Sequence, residues 1–260
     1  MAQSPYVYAG DMPITAVDVN GDSTFVTKND DGTYKVIGGT TEGNHNGIFI
    51  KNEDGTIGEM IGYSLTPQSF FCSDCGESGE WMGTIDVADQ SGRDFLNDNF
   101  GKNGIPSIIS YMYNGTAGKK YDFKRTGNGD ATVYHTEEDY YRGMPIMDKV
   151  NNQRIYASAR DVGNVGAGIV AGYNGMHWDE ARAGFDGLET YQSYSETGTL
   201  KWKTETASTQ YGQRVGMELG EKLLKAYEKQ TNANLERVSG IGQLNDGRIP
   251  KRDCKLNSVR

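Results

Sequence analysis

Hydrophobic and polar residues alternate along the first part of the chain, between about residues 24 and 63. Alternation with a period of two is typical of strands that bury one face. Two near-identical turn sequences, Asn29-Asp-Asp-Gly-Thr33 and Asn52-Glu-Asp-Gly-Thr56, interrupt the alternation, and Asp-Gly pairs favour tight hairpin turns. The pattern therefore predicts a small antiparallel β unit over residues 23–65.

The pattern becomes mixed from about Thr66. Its spacing predicts short helices at Ser91–Phe100 and Ile105–Tyr113, the second with a proline in its first turn. A capping-box sequence, Thr136-Glu-Glu-Asp139, predicts a further short helix that ends near Gly143-Met-Pro145. Extended segments are predicted at Tyr121–Phe123, Thr132–Tyr134 and residues 154–158.

After residue 158 the hydrophobic period changes to that of helices. Helices are predicted at about residues 159–173, 178–193 and 205–236. In the last of these helices, apolar residues recur at every fourth position and predict a buried stripe, which comprises Ala207, Tyr211, Val215, Leu219, Leu223 and Tyr227.

Glycines form a second row at the same spacing. Gly212, Gly216 and Gly220 share one face of the last predicted helix, and Gly168 and Gly172 share one face of the first. A glycine inside a helix costs about 1 kcal/mol relative to alanine, so five of them imply a compensating gain. We expect these two helices to approach each other backbone to backbone and to brace a polar pocket near the start of the first.

These patterns together predict an α+β fold. A small N-terminal antiparallel β unit is expected first, then a mixed region, then a C-terminal bundle of about three glycine-striped helices. The predicted boundaries are a leading segment at residues 1–22, the β unit at 23–65, the main domain at 66–240 and a mobile tail at 241–260.

Charge is distributed unevenly along the 260 residues, which carry a net charge of −9. Residues 1–120 hold 7 Lys or Arg against 16 Asp or Glu, whereas residues 121–260 hold 19 of each. Proteins that coat nucleic acid are usually basic, because phosphate neutralisation and counterion release supply their affinity. The composition disfavours a DNA-coating role but is compatible with an enzyme that has a small cationic pocket.

The sequence predicts neither a signal peptide nor a membrane span. No basic stretch followed by an apolar run stands near its beginning. The most apolar helical window, Val162–Tyr173, is only about a dozen residues long, whereas a helix needs about 20 residues to cross a bilayer. We therefore expect any export to depend on a larger parent protein or a dedicated secretion machine.

Two of the three cysteines form a C-x-x-C motif, Cys72-Ser-Asp-Cys75. This spacing serves both zinc binding and thiol–disulfide chemistry, but a structural zinc site needs two further ligands. His45 and Cys254 are candidates for them. Ordinary loop thiols, a zinc knuckle and a labile disulfide are the open alternatives.

The first residues of the chain carry a spaced set of prolines, tyrosines, an aspartate and a glycine. These are Pro5, Tyr6, Tyr8, Pro13, Asp18 and Gly21. With this spacing, residues 5–22 resemble the end of the Rhs/YD-repeat core of bacterial polymorphic toxins, although Val19 stands where that family has proline. The resemblance implies that residues 1–22 are the tail of an Rhs shell, and that Asp18 matches an aspartate of the self-cleavage that frees the toxin.

A second resemblance covers residues 120–220. The segments that carry it are Lys120-Tyr-Asp-Phe-Lys124, Tyr141-Arg-Gly-Met-Pro145, Ala159-Arg-Asp-Val-Gly-Asn164, Ala181-Arg182, Phe185-Asp186 and Ser208-Thr-Gln210. They are similar to the variable tips of Rhs proteins from Bacteroidetes-type bacteria, and more loosely to polymorphic-toxin type 44.

This second resemblance implies that residues 66–240 are the effector domain of a toxin used in competition between bacteria. The activity that it implies is that of a ribonuclease delivered into a target bacterial cell. It also implies two kinds of partner, namely a cognate immunity protein and the Rhs shell with its secretion apparatus, of which type VI secretion is an example.

Metal-free cleavage of RNA needs a base for the 2′-hydroxyl proton, an acid for the leaving oxygen and cations for the charge on phosphorus. His135 suits proton transfer because imidazole titrates near neutral pH, and it precedes a predicted helix start, where backbone N–H groups favour an anion. No cofactor or metal ion is predicted for this chemistry. The candidate catalytic residues are Asp122, Lys124, His135, Arg142, Arg160, Asp161 and Asn164.

Several of these residues also have a purely structural interpretation. Asp122 and Lys124 are alternate residues of a predicted strand, so they point the same way and could form a cross-strand ion pair. Asp161 could cap its helix while Arg160 makes an ion pair. His135 could be a surface residue beside three acids.

Two other functions remain open at this stage. Paired carboxylates are the requirement for glycosidic cleavage, so the acidic residues favour a peptidoglycan hydrolase acting in the target periplasm. The acidic hairpins fit a non-catalytic binding tip. A ribonuclease acting on RNA in the target cytoplasm is the leading prediction. The acidic residues in question are Glu137, Glu138, Asp139, Asp161, Asp186 and Glu189.

Overall fold

The β structure of this protein consists of a closed barrel and a separate short hairpin. The computed structural model describes residues 23–40, 46–101, 104–115, 118–126, 136–150 and 153–244. Within these residues the strands are β1 (Ser23–Lys28), β2 (Tyr34–Thr40), β3 (Gly47–Lys51), β4 (Ile57–Ser64), β5 (Phe71–Cys72), β6 (Glu80–Trp81), β7 (Thr84–Ile85), β8 (Gly143–Val150) and β9 (Gln153–Ser158).

Seven of these strands form the barrel, in the spatial order β1-β2-β7-β8-β9-β4-β3, and β3 pairs back onto β1. The pairs β1–β3, β4–β9 and β7–β8 are parallel, and the other barrel pairs are antiparallel. The strands of residues 23–65 thus form no separate antiparallel unit, because β2 pairs with β7 and β4 pairs with β9. The predicted α+β arrangement of a small β unit followed by a helical bundle is wrong.

The helices agree better with the sequence pattern. Those predicted at residues 91–100, 159–173 and 178–193 are present, and the last predicted helix extends to Leu244 rather than 236. The predicted capping box is also present, since the Thr136 hydroxyl accepts from the Asp139 N–H and the Asp139 carboxylate accepts from the Thr136 N–H. The helices are α1 (Ser91–Phe100), α2 (Ile108–Asn114), α3 (Phe123–Thr126), α4 (Glu137–Tyr140), α5 (Ala159–Tyr173), α6 (Trp178–Thr197) and α7 (Ala207–Leu244).

Two local predictions are wrong. Tyr121–Phe123 is not extended, because a turn at this point leads into α3. The residues from Gly143 onward do not end a helix but begin β8, in which Pro145 pairs with Tyr156 of β9. A proline inside a short apolar run argues against a strand, and for this reason the sequence pattern does not predict β8.

Helices α5 and α7 pack with their backbones in contact, as the two glycine rows predict. A Cβ added at Gly168 would lie 2.7 Å from the backbone nitrogen of Met217 and closer still to the carbonyl oxygen of Gln213. Gly216 makes the reciprocal approach to the backbone of Val165. Among the described residues, α6 makes no comparably close backbone approach to either helix, so the predicted bundle of three striped helices is in fact a pair.

The predicted apolar stripe of α7 is not buried as a whole. Tyr211, Leu223 and Tyr227 are exposed, whereas Gln213 and Met217 are buried. The glycine row explains the difference, because the contact with α5 is centred on the glycines and on the residues next to them. The large apolar residues then lie at the edge of the contact.

The barrel and the helices have separate hydrophobic cores. Helix α5 lies at the centre of the helical core, since 11 of its 15 residues are buried and it contacts β8, β9, α1, α2, α3 and α7. Its N-terminal turn is therefore held by packing on several sides. The barrel core consists of Val26, Val36, Ile48, Phe70, Ile85 and Tyr156.

Several predictions fall on residues outside the described ones. These are the leading segment 1–22 with Asp18, the extended segment Thr132–Tyr134, the tail beyond residue 244, and the side chains of His45, His135 and Cys254. Within the described part of the chain, no helix combines the length and the apolar character that a bilayer crossing requires.

Candidate functional site

A cavity of about 410 Å³ opens between α5, α6, the start of α7 and the segment that connects α2 to α3. A concave site with convergent polar groups is the usual place for a ligand. The wall of this cavity carries charges of both signs. Its cationic side chains are Lys119, Lys124, Arg125 and Arg160, and its acidic side chains are Asp122, Glu189 and Glu205.

Four of the seven residues predicted as catalytic line this cavity, namely Asp122, Lys124, Arg160 and Asn164. Arg142 and Asp161 do not line it, and His135 lies outside the described residues. The structure thus brings together residues from two separate predicted segments, around positions 122 and 160. It does so because α5 packs beside α3 as well as against α7.

Arg160 joins the cavity to three other parts of the chain. Its guanidinium donates to the Tyr141 hydroxyl at 2.8 Å, to the Ser208 hydroxyl at 2.9 Å and to the Gln68 carbonyl at 3.1 Å. It also lies 4.8 Å from the centre of the Tyr141 ring. Arg160 is therefore a structural cross-link as well as a cationic group of the cavity wall.

Asp161 is fully buried next to Arg160 and does not cap its helix. The N-cap of α5 is Ser158, whose hydroxyl accepts from the Asp161 N–H. The Asp161 Oδ1 lies 3.9 Å from the Arg160 Nη2, and neither carboxylate oxygen has a hydrogen-bond partner of normal geometry among the described residues. Burial raises the pKa of Asp161, and Arg160 with the nearby hydroxyls of Ser69 and Ser158 offsets this only in part.

Arg142 does not line the cavity and is hydrogen-bonded to backbone carbonyls. Its guanidinium donates to the carbonyl oxygens of Phe123 and Lys124, each at 3.1 Å, and of Asp139 at 2.8 Å. It also lies 5.1 Å from the centre of the Phe123 ring. Arg142 thus ties α3, which contributes to the cavity wall, to α4.

Asp122 and Lys124 lie at a turn and in α3, so the predicted cross-strand ion pair is wrong. The Asp122 carboxylate accepts from the Gly118 N–H at 2.9 Å and lies 3.8 Å from the Arg125 Nε. Lys124 Nζ lies 5.5 Å from the centre of the Tyr140 ring and forms no ion pair with a carboxylate of the described residues. Lys124 is therefore a cation of the cavity wall whose charge is not paired with a carboxylate of the described residues.

Glu205 is an acidic residue of the cavity that the sequence analysis missed. Its Oε2 accepts hydrogen bonds from Arg182 at 2.8 Å and from Gln213 at 2.7 Å. Its backbone N–H donates to Asp186 at 3.0 Å, and Asp186 in turn pairs with Arg182. The second carboxylate oxygen, Oε1, accepts no hydrogen bond from the described residues.

The surroundings of Glu205 make it more basic than an exposed glutamate. Burial raises the pKa of its carboxyl and the charge of Glu189 adds to the effect, while the hydrogen bonds from Arg182 and Gln213 lower it in part. Burial also raises the pKa of the adjacent Tyr111, and the charges of Asp122 and Glu205 add to that increase. A carboxyl perturbed in this way inside a cleft is a typical candidate for proton transfer.

Asn164 lines the cavity and carries a hydrogen-bond donor that no described residue uses. Its Nδ2 is buried and has no hydrogen-bond partner among the described residues. The base of the side chain lies against α7, since a Cβ added at Gly212 would lie 3.2 Å from the Asn164 Cβ. A buried donor without a partner costs free energy unless a ligand or water satisfies it.

The sequence contains only a weak signal for Glu205 and its hydrogen-bonded partners. Arg182 and Asp186 fall in segments that were noted for their resemblance, and their four-residue spacing on a helix is that of an ion pair. Glu205 follows a polar stretch with no periodicity, so nothing local marks it. Its role depends on burial by α6 and α7, which only the tertiary structure provides.

Comparisons with known proteins add no relative to this description. The chain was compared with protein-family profiles, with curated proteins and with solved structures, and none of the three comparisons gave a match.

Proposed function

We propose that this chain is the effector end of an Rhs-type polymorphic toxin and that its cavity cleaves RNA in the target bacterial cell. The observation that carries the chemical part of the proposal is the position of Glu205. This carboxyl has a raised pKa and one oxygen without a hydrogen bond, and it shares a cavity with Lys124 and Arg160. The Rhs origin is supported by the sequence resemblance of residues 5–22 and 120–220.

The proposed reaction is attack of the ribose 2′-oxygen on the adjacent phosphorus. Glu205 Oε1 accepts the 2′-hydroxyl proton, because a base with a raised pKa is better matched to neutral pH. Lys124 and Arg160 bind the phosphate oxygens as negative charge develops on them, and the Asn164 amide donates to the same group. The 5′-oxygen leaves, so the products are a 2′,3′-cyclic phosphate and a 5′-hydroxyl end.

The acid that protonates the leaving oxygen is assigned to His135 on the sequence alone. Tyr191 lines the cavity and exposes 67% of its surface, which offers an aromatic face on which a base can stack.

No metal ion takes part in the proposed reaction, so cleavage is expected to persist in the presence of a chelator. The implied partners are a cognate immunity protein and the Rhs shell with its secretion apparatus.

One observation favours a second function, hydrolysis of peptidoglycan in the target periplasm. Glu189 and Glu205 line the same cavity, and the charge of Glu189 raises the pKa of Glu205. Two carboxyls that face one site are the arrangement used for glycosidic cleavage. However, Glu189 is paired with Lys203 at 2.8 Å, and the four cationic side chains of the cavity wall suit a phosphodiester better than a neutral glycan.

Expression of the chain in a sensitive host, with and without a periplasmic export signal, tests the two functions. Killing only from the cytoplasm, with RNA degraded, supports the ribonuclease. Lysis only after export supports the wall hydrolase and contradicts the ribonuclease. No toxicity in either compartment contradicts both and leaves a binding tip.

Two matched lysine variants sharpen this test. Lys124→Met is expected to abolish RNA degradation, because it removes a cation of the cavity wall that forms no ion pair with a carboxylate of the described residues. Lys120→Met is the control, since Lys120 is exposed and does not line the cavity. Equal activity of the two variants would contradict a phosphodiester substrate bound in this cavity.

A further inference from the structure

A second group of reactive side chains lies where β5 approaches α4. Cys72 and Cys75 are joined by a disulfide, and a carboxylate oxygen of Glu137 lies within 4.8 Å of both sulfur atoms. Cys72 is buried, Cys75 is half-buried and Glu137 is exposed. None of the three lines the cavity, and within the described residues they form the one cluster of His, Cys, Asp or Glu with the spacing of metal ligands.

The fold presents these ligands from two distant parts of the chain. The hairpin of β5 and β6 pairs Cys72 with Glu80, and Gly76, with a φ of +62°, turns the chain directly after Cys75. Only glycine adopts this left-handed conformation at little cost. Glu137 is the first residue of α4, where the capping box fixes the backbone.

We propose that reduction of this disulfide creates a site for a zinc ion, bound by the Cys72 and Cys75 thiolates and the Glu137 carboxylate. A dithiol reductant supplies two electrons and two protons to the disulfide and is itself oxidised to a disulfide, which leaves two thiols. Zinc binding then displaces the two thiol protons to solvent, because the ligand is the thiolate. The site does not depend on the proposed function of the cavity.

The donor set selects zinc among the common divalent cations. Thiolates favour zinc over calcium or magnesium, which prefer oxygen ligands. Zn–S and Zn–O bonds of about 2.3 and 2.1 Å place tetrahedral ligand atoms less than roughly 4 Å apart. The Glu137 carboxylate oxygen, which lies within 4.8 Å of both sulfur atoms, therefore needs to approach them only slightly. The two sulfur atoms, which are bonded to each other in the disulfide, must move apart after reduction. Three protein ligands leave the fourth position to water or to an external ligand.

The two states constrain the chain differently. The disulfide joins residues only three positions apart, so it cross-links nothing beyond its own loop. A zinc ion would tie that loop to α4, which directly precedes Tyr141, the acceptor of the Arg160 hydrogen bond. Reduction with zinc binding would thus connect two segments that the oxidised protein leaves unlinked at this point.

Cobalt titration of reduced and oxidised protein tests the site. The full chain carries Cys254→Ser so that the two cysteines of the site are the only thiols. It is reduced with a phosphine and kept under inert gas. We expect the reduced protein to bind one Co²⁺ with thiolate-to-cobalt charge-transfer absorption, and zinc to displace the cobalt. The oxidised protein is expected to show neither signal.

Two glutamate variants identify the third ligand. Glu137→Gln is expected to weaken cobalt binding by at least tenfold. Glu138→Gln, the neighbouring residue, which pairs with Lys35, is expected to leave binding unchanged. Absence of cobalt binding in the reduced protein, or equal affinity of the Glu137→Gln variant and its parent, overturns the proposal.

A measurement on the unaltered sequence covers the case in which a variant does not fold. The reduced wild-type chain is alkylated with and without zinc, and the cysteine-containing peptides are quantified by mass spectrometry. Zinc is expected to slow alkylation of Cys72 and Cys75 by at least tenfold. Equal rates with and without zinc contradict the site.

Discussion

The backbone of Gly168 in α5 lies directly against that of Gln213 in α7, so closely that a Cβ at Gly168 would overlap the Gln213 carbonyl oxygen. The side chain of the same Gln213 donates to the Glu205 carboxylate at 2.7 Å. The contact between the two helices thus positions a residue that donates a hydrogen bond to the Glu205 carboxylate. Gln213 therefore connects the glycine rows, which in the sequence indicate only helix packing, to the proposed chemistry of Glu205.

Gly168→Ala is expected to destabilise the protein by at least about 2 kcal/mol, because overpacking a tight core forces backbone or side chains to move. The obstacle is backbone of α7 rather than a flexible side chain, so it cannot be relieved cheaply. The free energy of unfolding is measured by urea denaturation.

Gly163→Ala in the same helix is the matched control. Nothing lies within 4 Å of a Cβ added at Gly163, so alanine there should stabilise the helix by about 0.5–1 kcal/mol. If both alanines change the free energy of unfolding by similar amounts, the backbones of α5 and α7 are not in close contact at Gly168.

Arg142→Met is expected to lower the free energy of unfolding by about 3 kcal/mol, because it leaves up to three carbonyl acceptors without their charged donor. Arg142→Lys should recover little of this loss, since one ammonium cannot reproduce the planar guanidinium. Lys35→Met, which removes only the exposed pair with Glu138, should cost less than about 1 kcal/mol. A purely catalytic Arg142 would instead lose activity with stability unchanged.

Asp161 is expected to make the protein less stable as pH rises. Because burial raises its pKa in the folded state, the folded protein holds this proton more tightly than the unfolded chain, in which the ordinary value is 3.8. The contribution of the protonated carboxyl is thus complete below about pH 4 and is lost as pH increases toward the folded pKa.

Asp161→Asn removes this titration while keeping the size of the side chain. The variant should therefore lose less stability than the wild type between pH 4 and pH 7 in urea denaturation. Parallel stability curves for the two proteins over that range would show that Asp161 has no raised pKa in the folded state.

The sequence predicts the helical half of this molecule better than the β half, for a physical reason. Helix periodicity and the glycine rows are local patterns, so the contact of α5 with α7 follows from the residues at positions 168, 172, 212, 216 and 220. The barrel instead depends on β8, whose Pro145 argues against a strand, and on β7, which is only two residues long. Pairings between residues so far apart leave no local period in the sequence.

The candidate site divides in the same way. Arg160 and Asn164 are predictable because they open the glycine-striped helix, and Lys124 because it lies in a segment that carries the resemblance. Glu205 is not predictable, because what distinguishes it is burial by side chains from α6 and α7. Arg142 differs from these residues, since this conspicuous cation in a matching segment donates to three backbone carbonyls and does not line the cavity.

The pH dependence of RNA cleavage is expected to report the state of Glu205. As a base it must be ionised, so activity should fall as pH decreases through its pKa. The Gln213 amide stabilises the ionised form by donating to Oε2, and Gln213→Met removes that donor at similar size. The acidic limb of the profile should therefore move to higher pH in this variant.

Gln210→Met separates this effect from a general disturbance of α7. The Gln210 amide donates to the backbone carbonyl of Glu205 at 2.9 Å rather than to its carboxylate, so its loss should leave the acidic limb in place. The change in the pKa of Glu205 can also be followed without an activity assay, by carbon-13 NMR titration of its carboxyl. An unchanged titration in Gln213→Met, or an equal shift in both variants, would mean that the hydrogen bond from Gln213 does not control the ionisation of Glu205. The helix pair would then position this carboxyl without tuning its basicity.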